Sequence, residues 1–83
     1  MTLVVYPGTF DPLTLGHQDV VQRVAAHHEA VIVAVSDSRK STLFTLAERL
    51  DMAKAILTGL ANVRVMHFTG LVTEFARQQG AGL

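Results

Sequence analysis

The sequence predicts an α/β fold built on a doubly wound parallel sheet, and three observations carry that expectation. Short β-branched runs alternate with longer segments whose apolar residues recur at helical spacing, in the order β-α-β-α-β-α. The strand-like runs are apolar at nearly every position, as strands covered on both faces should be. The segments between them are long enough to carry the right-handed crossovers that join parallel strands.

The elements follow in order. "LVVY", Leu3 to Tyr6, reads as the first strand, which Pro7 and Gly8 end. From about Thr14 to His28 the pattern is helical: Val20, Val21, Val24 and Ala25 make one apolar stripe, and Thr14 is a suitable N-cap. "AVIVAV", Ala30 to Val35, is the second strand. The next helix is the best marked, because Thr45 and Glu48 have the spacing of a capping box and Leu46, Leu50, Ala53, Leu57 and Leu60 recur at steps of four and three, with Gly59 near the end. "NVRVMHF", Asn62 to Phe68, is a third strand with partial alternation. A last helix, about Leu71 to Gln79, buries Leu71, Val72, Phe75 and Ala76, and Gly80 can cap it.

Composition limits what such a chain does. Its 83 residues allow one small domain or part of a larger one, and 49% hydrophobic with 17% charged residues is a folding composition. A formal net charge of zero speaks against a broad nucleic-acid or membrane-surface footprint, so anion binding has to be local. There is no cysteine, no basic segment leading an apolar block, and no apolar run near the ~20 residues a membrane helix needs. The expectation is a soluble, cytoplasmic protein with neither nucleic acid nor membrane as partner. The closing "GAGL" follows a helix, where the alternation calls for another strand, so an incomplete N-terminal half of a fold is expected.

In open α/β sheets ligands sit beyond the carboxyl ends of the strands, and "YPGTFDPLTLGH", residues 6–17, occupies that place after the first strand. Gly16 and His17 fall in the first turn of the helix that follows. Gly is about 1 kcal/mol worse than Ala inside a helix, and a protonated His is disfavoured near the positive end of the dipole. A bound polyphosphate accounts for both: the first turn presents free amides, Gly16 leaves room beside them, and His17 adds a donor. Gly8 is expected to let a ligand approach the backbone closely. Asp11 is read as a brace, its carboxylate taking backbone N–H groups at the turn. The dinucleotide fingerprint G-x-G-x-x-G and the P-loop G-x-x-x-x-G-K-[ST] are both absent. His27, His28 and His67 are read as ordinary helix-end and strand-end histidines, and no carboxylate cluster is seen that would hold a metal alone.

Residues 6–17 closely resemble the first signature of the nucleotidyltransferases that carry a T/H-x-G-H motif, here Thr14-Leu15-Gly16-His17. Within that superfamily the chain looks most like the bacterial phosphopantetheine adenylyltransferase family, a likeness continued by "VAVSDSRKSTLFTLAERL" and "NVRVMHFTGLVTEFAR". Families that adenylylate nicotinamide mononucleotide or cytidylylate glycerol phosphate usually have His where this chain has Thr14. The resemblance implies a Rossmann-like nucleotidyltransferase fold, with residues 1–83 as the N-terminal part of one domain. It implies transfer of the adenylyl group of ATP to 4′-phosphopantetheine, helped by Mg²⁺ held mainly on phosphate oxygens, in a homo-oligomer that is hexameric in the family. By the same resemblance His17 is the catalytic residue, and Gly8, Thr9, Phe10 and His17 bind the nucleotide. Thr9, Lys40 and Val72 then bind the acceptor. The family's fourth strand, its arginine-bearing loop and its Ser/Thr-rich nucleotide motif would lie past Leu83, so the 83 residues alone are expected to turn over little. A non-catalytic anion-binding or assembly module, and an enzyme with another phosphate acceptor, are the competing readings.

Overall fold

A computed structural model describes residues 3–37 and 41–81. The strands β1 (Leu3–Gly8), β2 (Ala30–Ser36) and β3 (Val63–Phe68) alternate with the helices α1 (Leu15–His27), α2 (Leu46–Ile56) and α3 (Val72–Gln78). The strands form one parallel sheet in the order β1-β2-β3, with Val4 beside Val31 and Val33 beside Val65.

The central strand explains the architecture. Residues 31–35 of β2 are buried at every position, and their side chains divide by the two-residue period of a strand. Val33 and Val35 meet Val21 of α1 and Ala53 of α2, while Ile32 and Ala34 meet Phe75 and Ala76 of α3. Helices therefore cover both faces, as the unbroken apolar run predicts. Right-handed crossovers with α1 and α2 on one face carry the chain from β1 to β3. α3, after β3, packs on the opposite face, and the loop that leaves the carboxyl end of edge strand β1 leads into α1.

The local signals mostly translate directly. Thr14 and Thr45 cap α1 and α2 with their hydroxyls, and Gly80, at φ +72°, closes α3 as Ala81 N–H donates to Ala76 O at 2.9 Å. Several boundaries differ from expectation, and β2 runs one residue further, to Ser36. β1 continues through Pro7 and Gly8, which pair with Ala34 and Val35; β1 is an edge strand, where a missing proline N–H is tolerated. The second helix ends at Ile56 instead of near Leu60, because Leu57 leaves helical geometry while the Thr58 hydroxyl donates to the Lys54 carbonyl at 2.8 Å. Leu57 and Leu60 still pack into the core, as their spacing implies. Asn62 precedes β3, and its amide donates to Ala25 O and His28 O, tying down the carboxyl end of α1. Leu71 is 75% exposed instead of buried, since it stands outside α3 in extended backbone as the N-cap.

Among the described residues no helix is long and apolar enough to cross a membrane. The division of β2 between two cores sets a stability contrast. Ile32→Ala should destabilise by about 2–5 kcal/mol, against within about 0.5 kcal/mol for the exposed Arg64→Ala, as read from denaturant midpoints.

Candidate active site

The loop from Thr9 to Thr14 links the end of β1 to α1, and its geometry is set by groups that can bond in only one way. At the start of α1, the His17 backbone N–H donates to Thr14 Oγ1 at 3.3 Å, and the Thr14 backbone N–H donates to His17 Nδ1 at 3.0 Å. The two residues form a reciprocal capping box in which an imidazole takes the place usually held by Glu or Gln. A backbone N–H cannot accept, so Nδ1 must present its lone pair. The proton of the neutral ring then sits on Nε2, which has no protein acceptor among the described residues. His17 thus serves the helix it begins, which revises the expectation that it is only a cost to that helix.

The next amides are open. Gln18 N–H returns to Thr14 O at 2.9 Å and His17 N–H is held by the Thr14 hydroxyl, whereas those of Leu15 and Gly16 find no protein acceptor among the described residues. Gly16 is exposed, and a Cβ built there would meet nothing closer than Thr14 Oγ1 at 3.7 Å. Packing does not demand this glycine. Two free amides, an Nε2–H and the positive end of α1 together favour an anion.

The other residues singled out in the sequence are placed as follows. Phe10 is buried at φ +50°, its ring 5.0 Å from that of His17 and 5.5 Å from Tyr6, both edge-on. With the ring in the core, Phe10 can offer a ligand only its backbone. Gly8 has a packing use that the sequence did not show: a Cβ there would stand 2.8 Å from Phe10 Cζ, so the glycine admits the phenyl ring. Thr9 is exposed beside them. Val72 begins α3 and packs, half-buried, with the core on the other face of the sheet, so the structure does not join it to the Thr9–His17 group. Lys40 lies outside the described residues.

Asp11 is a brace, but a longer-ranged one than a turn. Its two carboxylate oxygens accept from the amides of Leu43 at 2.6 Å and Phe44 at 2.8 Å, in the loop before α2. Arg49, which the sequence reading passed over, is 2% exposed and donates to the carbonyls of Thr9 and Ser36 at 2.9 Å and of Phe44 at 3.2 Å. Its signal was spacing: Arg49 stands three residues after Leu46 and four before Ala53, inside the apolar stripe of α2. A separate groove of about 520 Å³ lies between the end of β3 and α3, lined by His67, Thr69, Leu71, Glu74 and Gln78 among others.

The cytidylyltransferase-like family profile matches residues 5–83. The chain belongs to this family. Among curated proteins it is 54% identical over 82 residues to the phosphopantetheine adenylyltransferase of Nitrosomonas eutropha, covering 98% of this chain and 50% of that one. It is 51% identical to the protein of that name from Polynucleobacter necessarius and 46% to that from Heliobacterium modesticaldum, again over 98% of this chain. The chain spans about half the length of the curated relatives it matches.

Gly16→Ala separates packing from binding. The substitution should raise stability by about 0.5–1 kcal/mol, because the site is helical and open, while weakening inorganic pyrophosphate. Thermal unfolding and calorimetric titration together check it, and unchanged pyrophosphate affinity would mean that this glycine serves no anion.

Proposed function

We propose that the chain forms the phosphate-gathering half of a phosphopantetheine adenylyltransferase, which moves the adenylyl group of ATP onto 4′-phosphopantetheine and releases pyrophosphate. The observation that carries this reading is the Thr14–His17 cap, which leaves an Nε2–H beside two open amides at the start of α1. The names of relatives at 46–54% identity supply the substrates.

The chemistry asked of the protein is modest. An oxygen of the acceptor phosphate bonds to the α-phosphorus, the bond from that phosphorus to the bridging oxygen breaks, and the electron pair leaves with pyrophosphate. Two anions must be held in line, and the added negative charge must meet donors already in place. His17 Nε2–H and the Leu15 and Gly16 amides are such donors, fixed by the cap before any ligand arrives. Thr9 lies at the same edge, and Lys40 is assigned to the acceptor phosphate by resemblance alone.

Mg²⁺ fits this reading only as a passenger of the substrate. Among the described residues no group of three His, Asp or Glu side chains could hold a metal ion, and Asp11 commits both oxygens to amides. No step is assigned to the metal. The proposed setting is cytoplasmic, where coenzyme A is made, and the proposed assembly is a homo-oligomer.

His17→Gln tests the assignment without removing the cap, since Gln is an ordinary capping-box partner at this position. In the protein expressed from its whole reading frame, kcat for adenylyl transfer should fall by about 10²–10³ while the unfolding midpoint stays within a few degrees. An unchanged kcat would remove His17 from the reaction.

A further inference from the structure

Phe10 is the strained point of the loop. A left-handed conformation costs a residue with a Cβ about 1–2 kcal/mol, and such positions persist only where the surroundings over-determine them. Here the constraints come from both sides. On one side the Thr9 carbonyl is drawn to Arg49 Nη1 at 2.9 Å; on the other the Asp11 carboxylate is fixed to the Leu43 and Phe44 amides. Phe44 joins the two, because its N–H donates to Asp11 and its carbonyl accepts from Arg49 Nε at 3.2 Å. Arg49 also takes the carbonyl of Ser36, the last residue of β2.

A guanidinium is costly to bury, and this one meets three neutral carbonyls and no carboxylate among the described residues. Simple stabilisation of α2 does not require that arrangement, and an apolar side chain in the same stripe would serve the core. What the planar fork provides is three contacts, in fixed directions, to three segments that converge at the carboxyl edge of the sheet. The Thr9–Phe10 peptide is trans, so with its oxygen on Arg49 its N–H is turned away from the buried guanidinium. That N–H has no protein acceptor among the described residues.

We propose that Arg49 is a positioning residue for the nucleotide cradle: by gathering the carbonyls of Thr9, Ser36 and Phe44 it holds the left-handed turn at Phe10, and with it the ring that packs against His17. The role rests on the nucleotide reading given above, and it extends that reading to a residue that touches no ligand. Asp11 is the other half of the same clamp.

The test uses Arg49→Lys, which keeps the charge and loses the fork, and Asp11→Asn, which weakens the opposite half without opening the core. Both are made in the protein expressed from its whole reading frame. Amide hydrogen exchange is followed at Leu43 and Phe44 and, as an internal control, at Ile32 and Val33; ATP binding is followed by calorimetry. In each variant the Leu43 and Phe44 amides should exchange about tenfold faster or more with the β2 amides unchanged, and the Kd for ATP should rise about tenfold. Unchanged exchange at Leu43 and Phe44, an equal acceleration throughout β2, or wild-type ATP affinity in a loosened loop would each overturn the proposal. Should the unaltered protein bind no ATP, the nucleotide reading fails by itself, and the local exchange pattern still decides whether Arg49 holds the turn.

Discussion

A backbone N–H has no lone pair to give, and the candidate site depends on that constraint at Thr14. Once the amide of Thr14 points at the imidazole of His17, the tautomer of the ring is decided, and so is the direction in which its remaining N–H can act. The same bond fixes the first turn of α1 relative to the loop before it. Helix initiation and donor placement are one event here. The identity of residue 17 therefore carries two meanings that a helix-propensity argument treats as opposed.

The rest of the loop is held by the same kind of interaction, side chains closing on backbone groups. Asp11 accepts two amides and Arg49 donates to three carbonyls, while the ion pairs between side chains among the described residues, Arg23 with Asp19 and Arg77 with Glu74, lie on exposed helix surfaces. Exposed pairs of that spacing contribute only about 0.3–0.5 kcal/mol. The buried Arg49 and half-buried Asp11 at the carboxyl edge of the sheet instead meet peptide dipoles, which are abundant where strands end and loops begin. For the phosphate site proposed above, this arrangement fixes the loop without leaving the Asp11 carboxylate free beside it.

The sheet and its helices were legible because their signals are periodic. An unbroken apolar run, two stripes at steps of three and four, and two hydroxyl caps specify β2, α1 and α2, with boundaries moved by a few residues. The motif "TLGH" was legible as the start of α1 at the carboxyl edge of the sheet, but not as a cap in which the imidazole serves its own helix. The packing role of Gly8 was not legible because a glycine's neighbour in space, Phe10, becomes visible only after the loop turns back on itself at a positive φ. Arg49 was overlooked because a charged residue is read as solvated unless its register with Leu46 and Ala53 is given more weight than its charge. Val72 was legible as core and is core; its proposed contact with the acceptor depends on resemblance, as does that of Lys40.

The phenyl ring of Phe10 stands where the methyl group of any larger residue at position 8 would be. Positions 8 and 10 are consequently coupled sterically: enlarging residue 8 requires the ring at residue 10 to give way. A bulkier residue at the strand end becomes admissible only with a slimmer one in the turn, and thinning the turn would in its place take away the edge-on surface that backs the imidazole. The strand end is thereby kept small by a ring two residues further along the chain.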